Sequence, residues 1–112
     1  TNGDDFVVIR LNTDGSLDQT FGDGGRVITD FLEGDDIARS VVIQPDGKIA
    51  VAGTAKRRIG ARPNFAVARY EPGGALDNSF GGGGKVVIES GTSEGFGLAI
   101  QPDGKLVIAG YE

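Results

Sequence analysis

The sequence contains no histidine, cysteine, methionine or tryptophan, and its aromatic residues are limited to six phenylalanines and two tyrosines. Without histidine and cysteine, zinc sites of the usual type, serine-histidine triads and thiol nucleophiles are excluded. Carboxylate chemistry is left, but the pairs Asp4-Asp5 and Asp35-Asp36 lie in polar sequence typical of turns, where Asp forms local hydrogen bonds. We therefore expect no enzymatic activity, no metal site and no cofactor.

The chain also lacks long apolar segments and an excess of positive charge. No apolar run approaches the roughly 18 residues that a membrane-spanning helix needs. The net charge is −5 at pH 7, so nucleic acid and anionic membrane surfaces, which attract Lys and Arg, are not expected as partners. The absence of cysteine leaves the redox compartment open.

Glycine, in contrast, is abundant: 20 of 112 residues indicate many tight turns and favour an all-β chain. An eleven-residue phrase occurs at residues 43–53 and again at 100–110, and each copy predicts a β-hairpin. In its Pro-Asp-Gly turn, proline fixes the first central residue, Asp suits the second, and glycine accepts the left-handed conformation that closes the turn. The turn residues expected to be structural are Asp46, Gly47, Asp103 and Gly104.

A second repeat, at an offset of 59 residues, begins with strands at 5–11 and 64–70 that are apolar on both faces and therefore belong in a covered sheet. A glycine-rich loop follows each strand, and Phe21 and Phe80 are expected to anchor these loops to the core.

Each of these strands carries an arginine among its apolar residues. A guanidinium in that position needs a carboxylate, and a recurrent Asp across the same loop is the natural candidate. We predict the structural ion pairs Arg10 with Asp18 and Arg69 with Asp77.

A repeat of 57 to 59 residues with four short strands is typical of β-propellers. We predict a single repeat region, 1–112, with four-stranded antiparallel blades and about two blades per chain. Its parts are a half blade at 1–31 (strands c and d at 5–11 and 27–31), a complete blade at 35–91 (strands a to d at 37–44, 48–54, 64–71 and 85–90, with loops at 32–36 and 54–63), and a half blade at 95–112 (strands a and b at 95–101 and 105–110). Because the two half blades are complementary, we expect the chain to assemble with copies of itself or to be excerpted from a longer tandem array.

Three motifs occur in order and twice: (Asp or Asn)-Phe-x-x-x-Arg, Gly-x-Leu-Asp-x-x-Phe-Gly-x-Gly-Gly-basic-Val, and Ile-Gln-Pro-Asp-Gly-Lys-x-x-x-Ala-Gly. In these motifs the chain resembles the delta-60 repeat family of bacterial proteins. The resemblance implies a β-propeller-like fold in tandem arrays, and an extracellular or cell-surface location in a bacterium. It implies no established enzymatic activity and no agreed ligand.

Other motifs give weaker indications. Residues 12–15 resemble part of a calcium loop but lack its first ligand, and residues 80–85 fail as a phosphate loop because Val86 stands where Ser or Thr is required. The one basic cluster, in the unrepeated segment 54–63, is either solvated or a contact for an acidic partner, a sulfated sugar or a neighbouring subunit. Its residues are Lys56, Arg57, Arg58 and Arg62.

The resulting expectation is a non-catalytic scaffold or protein-interaction module. The alternative is a carbohydrate-binding propeller, which rests on fold analogy alone. Such a site would use aromatic residues for stacking, and those outside the repeated Phe positions are Phe31, Tyr70, Phe96 and Tyr111.

Overall fold

A computed structural model describes residues 3–89 and 97–111, and within these ranges the secondary structure consists of β-strands joined by turns. The eight strands are β1 (Phe6–Ile9), β2 (Arg26–Thr29), β3 (Asp36–Ile43), β4 (Ile49–Lys56), β5 (Pro63–Tyr70), β6 (Lys85–Ile88), β7 (Gly97–Ile100) and β8 (Leu106–Ala109). No helix able to cross a membrane occurs in this part of the chain. The fold is all-β, as the sequence predicts.

The strands form three antiparallel sheets. One has four strands in the order β3-β4-β5-β6, and two have a pair each, β1-β2 and β7-β8. In the four-stranded sheet a bulge in β3 interrupts the register between Ala38 and Ser40. Opposite it, a Cβ on Gly53 would overlap the carbonyl oxygen of Ile37, so only glycine fits there.

The two Pro-Asp-Gly hairpins have the same conformation. Gly47 and Gly104 have φ angles of 89° and 90°, in the left-handed region that favours glycine. The side chain of Asp46 accepts the N–H of Lys48 at 3.0 Å, and Asp103 accepts that of Lys105 at 3.0 Å. These contacts confirm the turn roles predicted for Asp46, Gly47, Asp103 and Gly104.

The strands around the unrepeated segment extend further into it than predicted. We expected a loop over 54–63, but β4 continues to Lys56 and β5 begins at Pro63. The extension occurs because Lys56 donates its N–H to the carbonyl of Asp35 at 3.1 Å and accepts the N–H of Gly34 at 2.9 Å. The loop is thus confined to residues 57–62.

Several further boundaries differ from the sequence prediction: the strands expected at 5–11 and 105–110 are confined to Phe6–Ile9 and Leu106–Ala109. The strand expected at 27–31 ends at Thr29, because Phe31 leaves the sheet to pack on Phe6, with ring centroids 4.6 Å apart. The loop expected at 32–36 ends one residue early, because Asp36 already pairs as the first residue of β3. Residues 90, 95 and 96 of the predicted strands lie outside the described ranges.

The core lies on β4 and β5, which are the middle strands of the four-stranded sheet. Their buried hydrophobic residues are small or aliphatic apart from Tyr70. The buried hydrophobic cluster is Phe6, Phe21, Ile49, Val51, Ala55, Ala66, Ala68 and Tyr70. The β1-β2 sheet packs against the four-stranded sheet, and the β7-β8 sheet contacts it through β3.

Candidate interaction edges

The predicted arginine-aspartate pairs are present in both copies with the same geometry. Arg10 Nε lies 2.8 Å from Asp18 Oδ2, and Arg69 Nε lies 2.8 Å from Asp77 Oδ2. Each guanidinium also stacks on the phenylalanine of the glycine-rich loop, 4.6 Å from the ring centroid of Phe21 in the first copy. The second copy has the same 4.6 Å distance between Arg69 and Phe80. In each copy, an ion pair and a cation–π contact therefore hold the glycine-rich loop against its strand.

Local hydrogen bonds fix the aspartate of each pair. Asp77 donates its N–H to the carbonyl of Arg69 at 2.8 Å, and its Oδ1 accepts the N–H of Ser79 at 3.0 Å and the Ser79 hydroxyl at 2.6 Å. Asp18 forms the same bonds with Thr20. Hydrogen bonds from Ser79, with Lys48 and Arg69 close by, hold the pKa of Asp77 well below its usual value.

The two copies differ in their further partners: in the first copy Arg10 Nη1 donates to the carbonyl of Pro72 at 2.7 Å. In the second copy Lys48, from the hairpin before β4, places its Nζ 3.0 Å from Asp77 Oδ2, and the Asp77 side chain is 4% exposed. Asp18 is 20% exposed. The residue that corresponds to Lys48 one repeat later is Lys105, and its side chain is 76% exposed. Sequence reasoning missed this contact, although lysine follows both Pro-Asp-Gly turns.

Two of the edge strands, β1 and β8, correspond to strands that lie in the middle of the four-stranded sheet. Among the described residues, β1 pairs only with β2, and β8 pairs only with β7, whereas their counterparts β5 and β4 pair with each other. We call the unpaired sides of β1 and β8 the open edges. On β1, Val7 and Ile9 are 45% and 55% exposed, although the corresponding residues of β5, Ala66 and Ala68, are fully buried.

The same contrast holds on β8. Val107 is 46% exposed, while the corresponding Ala50 is fully buried in β4. Just past β8, Tyr111 is largely exposed, while the corresponding Thr54 is buried. Open edges with exposed apolar side chains are the usual templates for pairing with another strand.

The basic cluster lies at the β4-β5 turn and does not converge on a pocket. Arg57 forms an ion pair with Glu89. Lys56 is partly buried at the end of β4, whereas Arg58 and Arg62 are exposed. The cluster thus offers three exposed guanidinium groups, of which that of Arg57 is already paired, and its role as a partner contact stays a prediction.

Among the described aromatic residues proposed for sugar stacking, only Tyr111 is exposed. Tyr70 is fully buried, and its hydroxyl lies 2.6 Å from that of Thr29. Phe31 packs on Phe6, Tyr111 is exposed at the end of the chain, and Phe96 lies outside the described residues. The three described aromatics do not form a common platform.

The remaining motifs have structural roles. In residues 12–15, Asp14 accepts the N–H of Ser16 at 3.0 Å, which makes this segment a side-chain-stabilised turn. In residues 80–85, Lys85 belongs to β6 and donates its Nζ to the carbonyl of Asp30 at 2.7 Å.

Sequential four-stranded antiparallel pairing, repeated half sheets and a glycine-rich loop after each third strand define a repeat unit of the β-propeller class. The chain belongs to the family described as Domain of unknown function (DUF5122) beta-propeller, whose sequence model matches residues 1–21, 44–80 and 101–112, more than half of the chain. Comparisons with curated proteins and with solved structures gave no match. The narrower resemblance to delta-60 repeats and the number of blades stay predictions.

Proposed function

We propose that this chain is a non-catalytic scaffold module of a β-propeller, and that its open edges join it to a second copy of the same repeat unit. The observation that carries the proposal is the burial contrast: equivalent positions are covered in the four-stranded sheet and exposed on β1 and β8. Apolar burial contributes about 25 cal/mol per Å², so covering these edges favours association.

The β4-β5 register predicts which residues would pair. In that pair Val51 lies opposite Ala68, and Ala52 lies opposite Val67. Transferring the repeat offsets places Ile108 of one copy opposite Ile9 of the next, and Ala109 opposite Val8. A β8-β1 pair in this register completes a four-stranded sheet from two half sheets.

Side chains outside the pair support the same register. Lys105 would approach Asp18 of the next copy as Lys48 approaches Asp77 at 3.0 Å within the chain. Within the chain, Thr29 contacts Tyr70 of the neighbouring sheet. At the next junction between sheets, Ile88 corresponds to Thr29, and Leu11 of the next copy corresponds to Tyr70. Both residues are exposed, Ile88 by 46% and Leu11 by 58%, and an apolar pair there would be buried by assembly.

Disulfide mapping tests the register, because the natural sequence has no cysteine. We expect the double variants Ile9→Cys with Ile108→Cys, and Val8→Cys with Ala109→Cys, to form chain-to-chain disulfides on mild oxidation. At least one of the two should do so, since opposite pairs alternate between wide and close spacing. The matched control, Ile9→Cys with Ala109→Cys, places its thiols on opposite faces of the sheet and should not cross-link.

Light scattering after size exclusion tests the assembly itself. We expect a mass of two or more chains at micromolar concentration. A stable, folded monomer would contradict self-assembly, and cross-linking as strong in the off-register control would contradict the register. We also propose an extracellular or cell-surface setting, on the family resemblance alone.

A further inference from the structure

Three carboxylates from separate parts of the sequence meet at one end of the first sheet pair. Asp5 immediately precedes β1 and Asp30 immediately follows β2, and the pairing of Phe6 with Thr29 brings these two positions side by side. Asp36 is the first residue of β3. One carboxylate oxygen from each residue lies within 4.8 Å of the other two. We call these three residues the acidic cluster.

The carboxylate of Asp36 is the unusual member of the acidic cluster. The residue is 1% exposed, and its Oδ2 accepts the N–H of Phe31 at 2.7 Å. Its Oδ1 is buried and has no hydrogen-bond partner. Buried polar oxygens are nearly always paired, because desolvation without a partner is unfavourable. A cation bound between the three carboxylates would supply the missing partner of this oxygen.

Burial raises the pKa of Asp36 to about 6, the N–H groups of Phe31 and Leu32 oppose that rise, and the nearby Asp30 carboxylate adds to it. Lys85 reaches this region, but its Nζ donates to the backbone carbonyl of Asp30. This lysine therefore leaves Oδ1 of Asp36 without a hydrogen-bond partner.

We propose that Asp5, Asp30 and Asp36 bind a divalent cation, with calcium preferred over magnesium. All three ligands are carboxylate oxygens, which suit hard cations. Calcium accepts irregular sets of oxygen ligands and tolerates water in the remaining positions, whereas magnesium requires a near-ideal octahedron. Because the protein supplies few ligands, we expect a dissociation constant for calcium of roughly 10⁻⁴–10⁻³ M.

The ion would join two neighbouring sheets. Asp5 and Asp30 flank the β1-β2 sheet, while Asp36 belongs to the four-stranded sheet. The residues at the corresponding repeat positions are Asn64, Glu89 and Ser93, so the full set of three aspartates occurs once in the chain. The site is thus a specialisation of one sheet junction, and its existence does not depend on the proposed self-assembly.

Isothermal titration with calcium chloride and thermal unfolding in calcium or EDTA test the proposal on the natural chain. We expect saturable calcium binding and a Tm increase of roughly 5–10 °C at ten or more times Kd. Asp30→Asn should weaken binding by roughly tenfold or more, because the ion loses one of three charged ligands. Asp30 is exposed, so this variant is expected to fold normally.

Two further variants sharpen the test. Asp5→Asn reproduces the residue of the second copy, Asn64, and should also weaken binding. Asp23→Asn removes an exposed charge elsewhere on the first copy and should leave binding unchanged. Absence of binding and of a Tm shift at about 10 mM calcium would overturn the proposal. Unchanged affinity in Asp30→Asn, or tighter binding of magnesium than of calcium, would overturn it as well.

Discussion

The hydrogen bond between Thr29 and Tyr70 offers a direct measurement of how two neighbouring sheets are held together. The hydroxyls are 2.6 Å apart, and they join the end of β2 to the end of β5. Thr29 is 3% exposed and Tyr70 is fully buried. Both hydroxyls are therefore shielded from water in the folded protein.

The expected magnitude follows from this burial. Tyr70→Phe leaves the Thr29 hydroxyl unsatisfied, and Thr29→Val leaves the Tyr70 hydroxyl unsatisfied, so each change should lower the free energy of unfolding by about 1–2 kcal/mol. The double variant removes both hydroxyls and leaves an apolar contact of nearly the same shape. It should therefore lose about as much as one single variant, which gives a coupling energy of roughly 1 kcal/mol or more.

Urea unfolding of the four proteins of this double-mutant cycle gives the coupling energy, and Tm shifts of several degrees per kcal/mol provide an independent measure. Tyr111→Phe is the matched control, because Tyr111 is exposed and its loss should change stability by less than about 0.5 kcal/mol. Strictly additive losses in the double variant would refute the reasoning, as would a Tyr70→Phe protein as stable as the Tyr111→Phe control.

Three other predictions address the repeated elements. The pKa of Asp77 is lowered in the folded state, so its contribution to stability is complete above about pH 5 and is lost as the pH falls below its usual pKa. Between pH 6 and pH 2.5, the urea midpoint should therefore fall less steeply in Asp77→Asn than in the unsubstituted protein. Parallel slopes for the two proteins would contradict this. Gly104→Ala should cost about 1–2 kcal/mol from its positive φ alone, whereas Gly104→Asn should cost less because Asn tolerates this conformation. Gly53→Ala should cost about 1–3 kcal/mol in urea unfolding because the new Cβ meets backbone, while Gly73→Ala, which has open space and no positive φ, should be near neutral.

Duplication made much of the fold predictable. Because the Pro-Asp-Gly turn and the arginine-aspartate spacing each occur twice, a local interpretation in one copy could be checked against the other. Both interpretations depend on residues close in sequence: Arg10 and Asp18 are separated by one loop, as are Arg69 and Asp77. Their ion pairs are found at 2.8 Å in both copies.

The acidic cluster shows where sequence reasoning fails. Asp36 follows Asp35 in a polar stretch, and such pairs are usually exposed turn residues. Its burial depends on β1, β2 and β3 meeting at one point, and no local pattern encodes that meeting. The contact between Lys48 and Asp77 was missed for the same reason, since 29 residues separate them.

The sequence by itself determined the strand class, the two hairpin turns, the glycine-rich loops and the arginine-aspartate pairs, because each depends on backbone preferences or on neighbours within about ten residues. Only the tertiary structure decided the ends of β2 and β4, the burial of Asp36, the Thr29-Tyr70 bond and the exposure of the two open edges. These features depend on which sheets lie side by side. They bring together residues that are far apart in sequence, and such contacts leave no periodic signal in the chain.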